Sequence, residues 1–212
     1  MKTKFGVNSV TPINKKLKNG YIMYDWVMRI KGFPAFCMRT LCGECKITEE
    51  EINFLRKNDC KIGLVIRDLT EIIVSGVNGV DMAMKAVQNA KELRVPDNKG
   101  IALFAEIKPE WRVNHNWILS FGQTLLTHGY IPGFIINSDQ FVQASNTPVP
   151  FGAIFMPNEL KIDSISEECI PYCLSALEPT DIHLWCCGTT TFDFIRVDDL
   201  YVKDDKVFEI MW

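Results

Sequence analysis

Residues 48–68 read TEEEINFLRKNDCKIGLVIRD. Thr48 with Glu51 three residues on has the spacing of a capping box. It predicts a helix whose N-cap is Thr48, with Glu51 reaching back to the cap. Ile52 and Leu55 begin the apolar stripe of that helix. After Asn58-Asp59 the run Lys61–Arg67 is too short for a helix and apolar almost throughout, the pattern of a strand buried on both faces. A capped helix feeding a buried strand is half of a β-α-β unit, and the question becomes how often the pattern recurs.

It recurs along the chain. Further candidate strands are Phe5–Ser9, Ala35–Leu41, Ile101–Ile107, Gly133–Asn137, Gly152–Met156, Ile182–Cys187 and Phe192–Val197. Between them, residues 79–94 place Val80, Met84 and Val87 at helical spacing and stop before Pro96. Residues 114–128 put Trp117, Ile118, Phe121 and Leu125 on one face, with Gly129 as C-cap. Weaker helical patterns cover 21–30 and 166–177, the latter interrupted by Pro171. Eight strands with helices between them predict a parallel sheet covered on both faces. Closing it gives a (β/α)8 TIM-like barrel with some helices irregular or missing; the alternative is an open doubly wound sheet. Leu200–Trp212 alternates polar and apolar residues around Asp204-Asp205 and reads as a C-terminal hairpin.

The chain has 212 residues and is read as a single domain over 1–212. Its net charge of −3 and the absence of a basic cluster longer than Lys15-Lys16 argue against nucleic acid. No apolar run reaches the length of a membrane span or a signal peptide, so the expectation is a cytoplasmic protein without membrane partners, unless a non-classical or phage-type route exports it. No Gly-rich phosphate loop follows any strand. The eight cysteines include Cys42-Gly-Glu-Cys45 and the pair Cys169 and Cys173. That set allows zinc, but the second pair has helical spacing and the other cysteines sit in apolar runs, so reduced structural thiols are expected, with no metal and no cofactor. The three histidines show no ligand spacing, and no GxSxG motif supports a serine nucleophile.

The order FGVNS, FCMRTL, TEEEINFLRKNDCKIGLVI, GVNGVDMAMKAVQNAKELRVP, GIALFAEIKP, HGYIPGFIINSD and DIHLWCCG resembles bacterial glycoside-hydrolase-like domains of unknown function. These are distant relatives of the family-25 lysozymes (muramidases), and the resemblance covers residues 4–200. It implies a glycan or small-molecule groove at the C-terminal strand ends, where the βα loops converge. Hydrolysis there needs two carboxyl groups, about 5–5.5 Å apart for retention or about 6.5–9.5 Å for inversion.

Glu106 is the candidate acid of that groove, with Asp193 or Asp198 as partner; the other reading of Glu106 is a structural ion pair with Lys108 or Arg39. Candidate ligand-binding residues are Asn8, Arg39, Arg67, Lys108, Asn137 and Trp185. Arginines offer a bidentate fork to a carboxylate, and they can equally tie loops together. Trp185 can stack on a sugar or serve as core. Trp111 and Asp139 are lesser rim candidates. Two positions depart from the family pattern. Asn8 stands where an aspartate often opens the first strand, and an amide cannot ionise. Lys108 stands two residues after Glu106, where relatives carry a second acid. The sequence therefore points to a glycoside-hydrolase-like protein with an altered acidic site; the alternative is a non-catalytic barrel used as a protein-interaction or phage/mobile-element structural module.

Overall fold

A computed structural model describes residues 4–136, 140, 152–155, 182–202 and 205–212; at 152–155, 182–188 and 205–207 it describes the backbone alone. The elements are β1 Lys4–Ser9, α1 Met23–Lys31, β2 Phe36–Thr40, α2 Glu49–Lys57, β3 Lys61–Ile66, α3 Glu71–Ser75 and α4 Val80–Glu92. After them come β4 Ala102–Glu106, α5 His115–Thr127, β5 Ile131–Ile136, β6 Gly152–Phe155, β7 Ile182–Phe192, β8 Ile195–Val202 and a 3-10 turn Asp205–Ile210. The helical pattern at 166–177 lies outside the described residues.

The strands follow one another in chain order around a single mixed sheet. From β1 to β7 each strand is parallel to the next. β8 runs antiparallel to both β7 and β1, and its pairing with β1 closes the ring. The expected (β/α)8 barrel is therefore incorrect, because that fold needs eight parallel strands with a helix after each. Here the last strand is reversed and five α-helices are present among the described residues, two of them in succession between β3 and β4. The reason for the reversal is the link between β7 and β8. Phe192 pairs with Ile195, leaving only Asp193 and Phe194 to turn the chain, both at positive φ (50° and 67°). Two such residues make a tight hairpin, whereas a parallel return needs a dozen or more.

The expected terminal hairpin is also corrected. The hairpin lies upstream, about Asp193-Phe194, and the tail ends in the 3-10 turn. That tail covers the N-terminal ends of the strands. Phe208 packs edge-on against Phe36 (5.8 Å between centroids), Met211 is buried, and the Trp212 backbone exchanges hydrogen bonds with Ile62.

Helix α2 starts as expected, with Thr48 Oγ1 accepting from Glu51 N at 3.2 Å. The Glu51 carboxylate does not reach back to the cap. It accepts instead from Arg39 Nε at 2.6 Å, Arg39 Nη2 at 3.0 Å and Ile13 N at 2.7 Å.

Two apolar clusters divide the core. The larger joins the outer strand faces to the helices, through residues such as Cys37, Leu64, Leu103, Val27, Leu55 and Trp117. The smaller fills the ring with Phe36, Met38, Val65, Ala102, Phe104, Ile135, Leu200 and Val202. Within it, glycines make room for large neighbours. A Cβ on Gly6 would overlap the Phe36 ring, one on Gly63 the Met38 thioether, and one on Gly133 the Phe104 ring. A small closed sheet holds bulky side chains only if small residues face them.

Candidate functional site

The alternation that sends Phe36 and Met38 into the ring sends Thr40 there too. The same count along the other strands brings Asn8 above Gly6, Arg67 above Val65, Glu106 above Phe104 and Asp198 above Leu200. These residues form a polar layer at the C-terminal strand ends, above the apolar filling. Arg67 is its centre. Its Nε donates to Glu106 Oε2 at 2.7 Å and its Nη1 to Thr40 Oγ1 at 2.5 Å, while Nη2 donates to Asn8 Oδ1. Asn8 Nδ2 donates to Asp198 Oδ2 at 3.1 Å. Asp198 Oδ1 accepts from the Thr189 hydroxyl at 3.0 Å and from Arg196 Nε at 3.2 Å. Glu106, Arg67, Asn8 and Asp198 are thus one hydrogen-bonded chain across the mouth.

Burial of Arg67 pulls its pKa below the ordinary guanidinium value, and the neighbouring Glu106 carboxylate works against that pull. Removing the carboxylate would leave a desolvated cation with hydroxyl and amide partners only. Glu106 is the more open of the two acids, with 29% of its side chain exposed against 13% for Asp198. Since a guanidinium only donates, Glu106 Oε2 serves as an acceptor in this arrangement.

The other candidates go elsewhere. Arg39 does not reach the mouth: it lies one residue out of phase with Thr40, points outward and is fully buried. There it binds Glu51 and the carbonyl oxygens of Ser9 and Val10, at 2.5 and 2.8 Å. Asp193 is not on a strand; it occupies the β7–β8 turn and accepts from Lys18 N at 2.7 Å. Lys108 lies past the end of β4, exposed, with Nζ 5.3 Å from the centre of the Trp111 ring, so it does not stand in a second acid's place on the strand. Neither Lys108 nor Arg39 is the ion-pair partner of Glu106; that partner is Arg67.

Trp185 sits on β7 at the register position opposite Tyr201, and its side chain is outside the described residues. Asn137 and Asp139 lie outside them as well, as do Cys169 and Cys173 of the possible zinc set. Among the described residues no three His, Cys, Asp or Glu side chains gather into a metal-holding group. No helix among them is long and apolar enough to cross a membrane.

Thr40, Thr189 and Arg196 belong to the polar layer or its edge and were not singled out from sequence. The period of two that joins Arg196 to Asp198, Leu200 and Val202 was the available signal.

No family model matches the chain, and no curated protein matches it. Solved structures do. An uncharacterized B. stearothermophilus protein superposes with a TM-score of 0.77 at 23% identity, over 99% of this chain and 100% of that one. The Mycobacterium tuberculosis Tat-secreted protein Rv2525c, in complex with HEPES, gives 0.63 at 12% identity, over 94% and 95%. The Clostridium perfringens spore cortex lytic enzyme SleM gives 0.53 at 11% identity, over 97% of this chain and 69% of that one. These likenesses establish a shared fold.

Proposed function

We propose that this protein binds a saccharide of the bacterial cell-wall type at the C-terminal mouth of its strand ring, and that it binds without hydrolysing. The observation that carries the reading is the chain Glu106–Arg67–Asn8–Asp198. An otherwise apolar ring interior ends in a layer of paired donors and acceptors. Burying such groups is costly unless they are satisfied, and an unneeded set is readily replaced by apolar residues. Sugar hydroxyls, which donate and accept, suit a floor of carboxylate, amide and hydroxyl groups. The likeness in fold to a spore cortex lytic enzyme supports a glycan, and the HEPES and L-tartrate complexes of another neighbour support a small polar ligand.

The same chain argues against turnover. A glycosidase acid must carry a proton to the leaving oxygen, and its partner must attack or activate water. Glu106 is engaged by an obligate donor at 2.7 Å, Asn8 has no proton to take or give as an acid, and Asp198 is held by three donors. The competing reading, a working hydrolase, rests on the partial exposure of Glu106. Incubating the protein with purified peptidoglycan and chitin oligomers decides between them. Saturable binding with no soluble fragments released is the expected result. Fragment release that disappears in Glu106→Gln would establish the hydrolase instead, and absence of binding would overturn both.

A further inference from the structure

The β7–β8 hairpin continues past the rim of the ring. β8 pairs with β1 only as far as Asn8 opposite Asp198. β7 and β8 stay paired beyond that level, through Val197 opposite Thr190, Arg196 opposite Thr191 and Ile195 opposite Phe192. The two strands therefore stand up from one edge of the mouth as an arm. It is braced from behind by the β1–α1 loop, whose Lys18 N donates to Asp193 at the tip.

Alternation fixes what each face of the arm carries. Phe192 and Val197 are buried. Arg196 shares the face of Asp198, as its bond to that carboxylate shows, and its Nη2 also donates to Thr189 Oγ1 at 3.3 Å. The inner face thus presents Arg196 together with exposed Thr189 and Thr191. The Arg196 side chain is 71% exposed. A guanidinium has five N–H donors in a rigid fork, so contacts to Asp198 and Thr189 orient it and leave donors directed to solvent above the mouth. Among the described residues, Arg67 pairs with Glu106 and Arg196 with Asp198 at this end, and Lys108 stands exposed beside the Trp111 ring.

From this geometry we infer that the ligand of the mouth carries an anionic oxygen group, a carboxylate on the sugar, and that Arg196 is the specificity-determining residue that receives it. The inference rests on the saccharide reading and narrows its ligand to acidic sugars. Asp198 and Thr189 act as positioning residues for the fork.

The test compares N-acetylglucosaminyl-N-acetylmuramic acid with its lactyl methyl ester, titrated calorimetrically into the wild type, Arg196→Gln and Arg196→Lys. The wild type is expected to bind the acid about tenfold more tightly than the ester, the scale of one charge-assisted hydrogen bond. That preference should shrink with added salt, vanish in Arg196→Gln and survive in part in Arg196→Lys. Equal affinity for acid and ester in the wild type overturns the inference without any variant. So does a preference that persists in a folded Arg196→Gln. If the wild type binds the ester and the acid equally well, the saccharide reading stands and this inference falls; if it binds neither, both fall.

Discussion

Asn8 and Asp198 face each other across the β1–β8 pairing, and the Asn8 amide joins the anion to Arg67, donating to one and accepting from the other. An amide is the side chain that can do both at once. An aspartate at position 8 would suit Arg67 but set two carboxylates against each other. Asparagine at position 8 is therefore built into the local hydrogen bonding.

Asn8→Asp should lower stability by about 1–3 kcal/mol at pH 7, the cost of an unsatisfied or repelled polar contact. The sign with pH follows from the pair. One of two adjacent carboxyls is held above its unfolded pKa, so the variant recovers stability as pH falls and loses it as pH rises through that value. Thermal melts of both proteins at pH 4 and pH 7 check this; a deficit that does not shrink at pH 4 contradicts it.

The Arg39–Glu51 pair is fully buried, with 0% of either side chain exposed. Glu51→Gln or Arg39→Met should each cost about 3–5 kcal/mol, because the partner is left as an uncompensated buried charge. The double variant Arg39→Met/Glu51→Gln should be less destabilised than the sum of the single changes. Denaturant unfolding of the four proteins measures the coupling.

Gly133 faces the Phe104 ring with no room for a methyl group. Gly133→Ala should destabilise by about 1–3 kcal/mol, and Phe104→Leu in the same chain should recover part of the loss. Independent, additive effects would show that the ring filling is looser than described.

Among the described cysteines, Cys45 is exposed and Cys37, Cys42 and Cys60 are buried. Burial pushes the Cys42 thiol up to about 12, and only the thiolate reacts. Iodoacetamide at pH 8 followed by peptide mass mapping should modify Cys45 in the native protein, and the other three only after unfolding.

Much of this polar layer was legible in the sequence, for reasons that also explain the misses. Glu106, Asn8, Arg67 and Asp198 stand out because polar residues ending apolar runs need partners or a function. Arg39 looks the same in sequence, yet faces the other way. β2 is buried on both sides, so alternation in polarity cannot say which residues point inward. Glu51 had the capping-box position, but a buried guanidinium is a stronger claim on a carboxylate than an exposed helix end. The reversal of β8 was readable from the four residues separating the expected strands Ile182–Cys187 and Phe192–Val197, too few for a parallel crossover. Asp193-Phe194 concealed it, lacking the glycine or asparagine usual in such turns.

The most direct test of the central claim is calorimetric titration of N-acetylglucosaminyl-N-acetylmuramic acid into the wild type and into Glu106→Gln, with thermal melts to verify folding. The polar layer as a sugar-binding floor predicts saturable binding by the wild type, weakened about tenfold or more in the folded variant as a charged acceptor is lost. Equal affinity in the two proteins, or no saturable binding by the wild type, would contradict it.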